Sequence, residues 1–179
     1  GSHLLGVIND ILDISKVEAG KMSLNMEMIH VRDLIDESLA LFQPKIERHG
    51  LSVENYVMDM EIVTDPKLFK QIVENIISNA IKFTPSGGHI SLSSLFDREF
   101  MKISITDTGI GMSDKELETA LSTFGQVEQD YARDVKGTGL GLSIVQKFMS
   151  LLGGKFNMTS KKDHGTTVTL YFPVISGAA

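Results

Sequence analysis

With 179 residues, 42% of them hydrophobic, the chain is long enough to close one good core, or one core and a short appendage. A formal net charge of -6 and a pI near 5.3 argue against a nucleic-acid binder that works by neutralising phosphates, and the lack of cysteine excludes disulfide frameworks and zinc-thiolate sites. No apolar run approaches the roughly 20 residues that span a bilayer, no secretory leader is recognisable, and His3, His30, His49, His89 and His164 are scattered without metal-ligand spacing, so a soluble domain of a reducing, cytoplasmic compartment is expected.

Gly1-Ser2-His3 looks like a protease-cleavage remnant. From Leu4 to Lys21, Leu4, Leu5, Ile8, Ile11, Leu12, Ile14 (with Val7) and Val17 form an apolar stripe, and Gly20 is a plausible helix stop. This helix opens without a cap, so it is expected to continue a longer one; periodicity alone leaves open whether it packs in this core or against a partner helix. Met22 to His30 alternates weakly, as an edge strand would. Val31 to Arg48 is helical through Val31, Leu34, Ile35, Leu39, Phe42 and Ile46, with Pro44 expected to kink or break it near Phe42 or Gln43. Leu51 to Val57 reads as a strand, and Glu61 to Thr64 as a short one.

Asp65 to Pro85 is the best-marked helix. Asp65 suits the cap and Pro66 the first helical position, where no backbone donor is lost. Phe69, Ile72, Val73, Ile76, Ile77, Ala80 and Ile81 recur at helical spacing and need burial. Asn75, Asn79 and Lys82, four and three residues apart, stack on another face of the same helix.

Pro85-Ser86-Gly87-Gly88 is a turn, and His89 to Phe96 with Phe100 to Asp107 reads as a hairpin. Ser113-Asp114-Lys115-Glu116 is a capping box opening a helix to about Ser122. Thr123 to Lys136 has no period and mixed charge, as a mobile loop would. A helix over Gly139 to Leu152 ends at Gly153-Gly154, and Lys155 to Ser160 with Thr166 to Phe172 makes a last hairpin before a short tail. Helices mixed with antiparallel hairpins predict an α+β fold: a two-layer sandwich with about three helices on one face of a mixed, mostly antiparallel sheet.

Three motifs carry chemistry. Asp107-Thr108-Gly109-Ile110-Gly111 follows a strand; a carboxylate there can accept from an amine edge, while its glycines allow close backbone approach, although a plain turn has the same pattern. Gly137-Thr138-Gly139-Leu140-Gly141-Leu142 precedes a helix, where exposed N–H groups and the helix dipole attract anions. It is neither a P-loop nor a dinucleotide fingerprint, and a helix-entry turn is the alternative. Asn75 and Asn79 offer neutral oxygens that suit Mg2+, or serve only to satisfy nearby backbone, and Lys82 can neutralise phosphate.

Together, Asn75-Ile-Ile-Ser-Asn79-Ala-Ile-Lys82-Phe-Thr and the two glycine motifs resemble the three nucleotide-binding boxes of sensor histidine kinases, within the superfamily that includes type II topoisomerases, mismatch-repair ATPases and heat-shock chaperones. Leu4 to Gly20 resembles the end of the second helix of the dimerisation and histidine-phosphotransfer domain, and Phe124-Gly125-Gln126 the phenylalanine box before the ATP lid. The resemblance implies a Bergerat-type ATP-binding fold over residues 22–175, a helix fragment over 1–21 and a tail at 176–179. It implies that Asn79, with Asn75, holds Mg2+ on the triphosphate, that Lys82 contacts phosphate and Phe83 lies along the adenine, and that Asp107 accepts from the adenine amino group in a pocket shaped by Gly109 and Gly111. Gly137, Thr138, Gly139, Leu140, Gly141 and Leu142 would line the phosphates, Thr166 would sit near adenine, and Arg133 and Lys136 would belong to the lid.

By the same resemblance the partners are ATP, the protein's own phosphotransfer helices in a homodimer, and a response regulator; the parent protein is either soluble or membrane-anchored. Two departures stand out. Asp163 occupies a position where the family often has glycine, so the last hairpin is expected to turn differently. The phosphoacceptor histidine with its acidic neighbour is missing from this chain, which is therefore a catalytic portion not expected to phosphorylate itself. A pseudokinase switch, or a protein-serine kinase of the same superfamily, is the rival reading.

Overall fold

The computed structural model describes residues 23–122 and 140–174, excepting the side chains of Leu140 and Gly141. In chain order it builds β1 (Glu27–His30), α1 (Val31–Arg48), β2 (Ser52–Tyr56), β3 (Glu61–Thr64), α2 (Pro66–Phe83), β4 (His89–Asp97), β5 (Phe100–Asp107), α3 (Asp114–Leu121), α4 (Leu140–Leu151), β6 (Lys155–Lys161) and β7 (Gly165–Pro173). The expected helix over Leu4 to Lys21, the loop from Thr123 to Lys136, the phenylalanine box, Gly137 to Gly139 and the tail at 175–179 lie outside the described residues. Among the described residues, no helix is long and apolar enough to cross a membrane.

Five strands form one sheet in the order β2-β4-β5-β7-β6. Only β2 and β4 run parallel, because β3 and α2 intervene between them; the other pairs are antiparallel, and β1 pairs with β3 in a separate two-stranded ribbon. Along β4 and β5 the alternation Ile90, Leu92 and Ile105, Ile103, Met101 puts the buried apolar residues on one face, while Leu95 and Phe100 fall on the other. The buried face, continued by Val168, Leu170 and Phe172 of β7, is covered by Val31 and Ile35 of α1, the Phe69-to-Ile81 stripe of α2, and Ile144, Val145, Phe148 and Met149 of α4. The fold is the anticipated α+β sandwich, with short α3 beside β6 and α4.

The α2 cap forms as the sequence demands. Asp65 Oδ1 accepts from the Lys67 and Leu68 N–H groups at 3.0 and 3.1 Å, while Oδ2 accepts from Asn25 N–H at 2.9 Å and so ties down the chain ahead of β1. The capping box at the start of α3 is complete in both directions. At Pro44 the expected break does not occur: α1 runs continuously through it to Arg48. Pro44 and Ala40, whose carbonyl loses its helical partner, are both exposed, so water can take up the missing bond.

Candidate functional site

Asp107 ends β5 at the centre of the sheet. Its Oδ1 accepts from Gly109 N–H at 2.8 Å and from Thr166 N–H at 3.2 Å, joining the loop after β5 to the start of β7. Among the described residues Oδ2 accepts no hydrogen bond, although the residue is only 8% exposed. Burial raises the carboxyl pKa above its ordinary value, and the two backbone N–H bonds partly offset that rise.

Around this carboxylate three segments converge. Ile110 N–H donates to the Phe83 carbonyl at 3.1 Å, Asp163 N–H donates to the Ile110 carbonyl at 2.7 Å, and Met112 N–H donates to Ser160 Oγ at 2.8 Å. The end of α2, the loop from Asp107 to Met112 and the β6–β7 hairpin are thus pinned together. The glycines are needed for this packing. A methyl group on Gly109 would run into the Phe83 carbonyl, and Gly111, at φ +65°, lies against the Lys161 carbonyl. Their first task is therefore to bring protein backbone together around Asp107.

Asp163 departs less than the sequence suggested. It adopts φ +66°, the left-handed conformation in which glycine is favoured, so the hairpin turns in glycine's manner with an aspartate in place. Ser160 is a supporting residue that motif reading overlooked: besides holding Met112, its Oγ lies 2.8 Å from Thr166 Oγ1 and donates to the Gly165 carbonyl at 3.1 Å. A serine sharing the inward face of β6 with Met158 was the available signal.

The polar face of α2 adjoins this node through Phe83. Asn75 and Asn79 are half-buried on it, and the buried Asn75 Nδ2 has no hydrogen-bond partner among the described residues. Lys82 is exposed at the surface, yet its neighbours desolvate the ammonium and, with a smaller push from Lys45, lower its pKa. Among the described residues no group of three or more His, Asp or Glu side chains could hold a metal unaided. Two amides one turn apart offer carbonyl oxygens that fit Mg2+, which takes few protein ligands and completes its shell with water and substrate phosphate, while the Asn75 Nδ2 is a donor that suits a phosphate oxygen. Leu142 packs half-buried against the core and Ser143 is buried in the first turn of α4. Gly137, Thr138, Gly139, Arg133 and Lys136 are outside the described residues, as are the side chains of Leu140 and Gly141.

A mixed sheet covered on one face by helices, with a buried carboxylate at a central strand end beside an amide-lined helix, defines a nucleotide-binding α+β domain. Residues 64–176, more than half the chain, match the family model described as histidine kinase-, DNA gyrase B- and HSP90-like ATPase. The chain belongs to that family, and within it to the ATP-binding domains of sensor histidine kinases.

The non-motile and phage-resistance protein of Caulobacter vibrioides is 38% identical, over 97% of this chain and 21% of its own length. An uncharacterized sensor-like histidine kinase of Rhizobium meliloti is 37% identical over 100% of this chain and 35% of its length. The cell-division control histidine kinase PdhS of Brucella anthropi is 35% identical over 97% and 17%. The chain thus spans about a third or less of the relatives it matches. In structure it is similar to the catalytic domain of histidine kinase ThkA (TM-score 0.72, 26% identity, 84% of this chain and 99% of that one) and, as a fold, to full-length ShkA solved with AMPPNP (0.83, 24%, 96% and 36%).

Proposed function

We propose that this chain is the catalytic portion of a protein-histidine kinase, transferring the γ-phosphoryl of Mg-ATP to a histidine on a helical hairpin outside residues 1–179. The observation that carries the reading is Asp107: a buried carboxylate with one oxygen fixed by two backbone N–H groups and the other uncommitted. Such an oxygen suits an exocyclic amino donor, and adenine offers one where guanine presents a carbonyl. Gly109, Gly111 and Thr166 hold the carboxylate's surroundings, and Phe83 flanks the base. Asn79, with Asn75, binds the metal that accompanies the triphosphate, and Lys82 offsets phosphate charge. When bound, Mg2+ neutralises charge on the phosphate oxygens and orients them. The N–H groups of Leu140, Gly141 and Leu142 at the start of α4 face the phosphates, and the glycine motif assigns Gly137, Thr138 and Gly139 the same role.

The chain's own contribution is positioning and charge neutralisation, not covalent chemistry. The bond from Pγ to its bridging oxygen breaks, a P–N bond forms to the acceptor imidazole, that ring's proton is released, and ADP departs. By their resemblance, residues 1–21 correspond to the end of the phosphotransfer domain's second helix and 22–175 to the ATP-binding domain of a parent that works as a homodimer and supplies a response-regulator aspartate.

The test joins this chain to its upstream helical hairpin and incubates it with Mg-ATP. Acid-labile, base-stable phosphate on the hairpin is expected. ATP binding without any such phosphate would overturn the kinase reading in favour of an ATP-dependent switch, and acid-stable phosphoserine would point to the serine-kinase alternative.

A further inference from the structure

Ser160 of β6 and Thr166 of β7 are register partners, and their hydroxyl oxygens lie 2.8 Å apart. Two further bonds end on Ser160 Oγ: Met112 N–H donates to it at 2.8 Å, and it donates to the Gly165 carbonyl at 3.1 Å. Resting on the ATP-binding reading, we propose that Ser160 is a positioning residue for base selection. It fixes the Thr166 hydroxyl as a hydrogen-bond acceptor, so that the base end of the cleft takes an amino edge and rejects a carbonyl edge.

The direction follows from counting hydrogens. A serine hydroxyl has one hydrogen to give and two lone pairs to receive. An amide N–H only donates, so Met112 takes one lone pair; a carbonyl only accepts, so Gly165 takes the hydrogen. The remaining contact is satisfied only when Thr166 Oγ1 donates to the second lone pair. Backbone holds both outside partners in place. Ile110 N–H bonds to the Phe83 carbonyl and anchors the loop that carries Met112, while Gly165, at φ +89°, lies against the Asp107 carbonyl where a methyl group would not fit. The hydroxyl pairs on the opposite face of the sheet differ. Ser104–Thr169 at 3.4 Å and Thr106–Thr167 at 3.0 Å have no third side-chain partner among the described residues, so either oxygen can donate.

Thr166 stands where its hydrogen matters. Its N–H donates to Asp107 Oδ1 at 3.2 Å, which sets the residue beside the carboxylate whose other oxygen is uncommitted. A hydroxyl free to rotate there would turn its hydrogen toward the anion, because bonds to charged acceptors are the stronger ones. The acceptor that adenine needs would then be consumed. With that hydrogen drawn to Ser160 instead, Thr166 Oγ1 and the ionised Asp107 Oδ2 both offer only lone pairs. An exocyclic amino group carries hydrogens for such a pair, whereas a carbonyl finds no donor. A plain brace for the β6–β7 hairpin would need only the bonds to Met112 and Gly165. The third bond, to a side chain of the base site, is the one a brace does not require.

The test compares ATP with inosine triphosphate, which differs from it only on that base edge, by calorimetry on the parent chain and on Ser160→Ala and Ser160→Thr variants. In Ser160→Ala, ATP should weaken more than inosine triphosphate, and the preference for ATP should shrink about tenfold, the scale of one reversed hydrogen bond. Ser160→Thr keeps the hydroxyl and should keep the parental preference. Equal weakening of both nucleotides in Ser160→Ala would reduce Ser160 to a brace and overturn the proposal. Hydroxyl-proton NMR on the labelled, ligand-free parent reads the arrangement without nucleotide or substitution. The Thr166 hydroxyl proton should be protected from exchange and lie close to the Ser160 β-protons; a proton in fast exchange with water, or one turned to Asp107, would overturn the proposal. A parent that binds neither nucleotide would bring down the ATP-binding reading itself, whereas a parent that prefers ATP beside a Ser160→Ala chain with the same preference would sink the role of Ser160 alone.

Discussion

Replacing Asp107 with asparagine separates a binding role from a structural one. The amide oxygen of Asp107→Asn can still accept from Gly109 and Thr166, so the two bonds at 2.8 and 3.2 Å survive. The uncommitted carboxylate oxygen becomes an NH2 group, a donor set against the adenine amino donor. Losing a hydrogen bond to a charged acceptor costs about 1.5–3 kcal/mol, and stranding a donor adds about 1 kcal/mol more. At 1.4 kcal/mol per decade, ATP affinity should fall by roughly 60- to 700-fold.

Stability should behave oppositely. The folded-state pKa of Asp107 is raised, so the folded chain retains a proton that the unfolded chain has released. Stability therefore drops as pH rises from the unfolded value of about 3.8 through the raised folded one, and above that window the ionised, buried carboxylate is a liability. The variant lacks this titration and should melt no lower than the parent at neutral pH. Calorimetry with ATP and GTP, beside thermal melts between pH 3.5 and 7, reads both effects. A folded variant that keeps parental ATP affinity would refute the assignment of Asp107 to the base, and one that melts several degrees lower would show the carboxylate to be a structural strut.

Asn79→Ala should abolish the Mg2+-dependent part of ATP binding; calorimetry with Mg2+ and with a chelator should then give equal affinities, whereas a retained difference would remove Asn79 as a metal ligand. Thr64 is 2% exposed and its hydroxyl has no partner among the described residues, so Thr64→Val, which puts a methyl of similar shape there, should gain about 1 kcal/mol, or roughly 2–4 °C in melting temperature. A fall of that size would mean the hydroxyl has a partner. Asp163→Gly removes the side chain from a left-handed position and should be neutral or stabilising by up to about 1 kcal/mol in urea unfolding, a loss pointing to a role for the carboxylate.

Local signals read well from sequence because their partners lie within a few residues. The Asp65 cap, the Pro66 start, the Ser113–Glu116 box and the β4–β5 hairpin all formed where residue type required them. Pairings between distant strands did not read. Nothing in Glu27–His30 names β3 as its partner, nothing in β2 specifies a parallel run beside β4, and β7 reaches the sheet interior only because β6 takes the edge. Pro44 misled because propensity says nothing about whether the freed carbonyl meets water or core. At the site, Asp107 and the α2 face were legible from motif spacing. The reason for the glycines was not: Gly109 against the Phe83 carbonyl and Gly111 against Lys161 are contacts between segments far apart in the chain.

Titration of this chain with ATP in a calorimeter, in the presence and absence of Mg2+, tests the central claim most directly. Saturable binding at one site, tighter with Mg2+ and much weaker for GTP, is expected. Absence of saturable heat at millimolar ATP from a chain that melts cooperatively, or equal affinity for ATP and GTP, would contradict it.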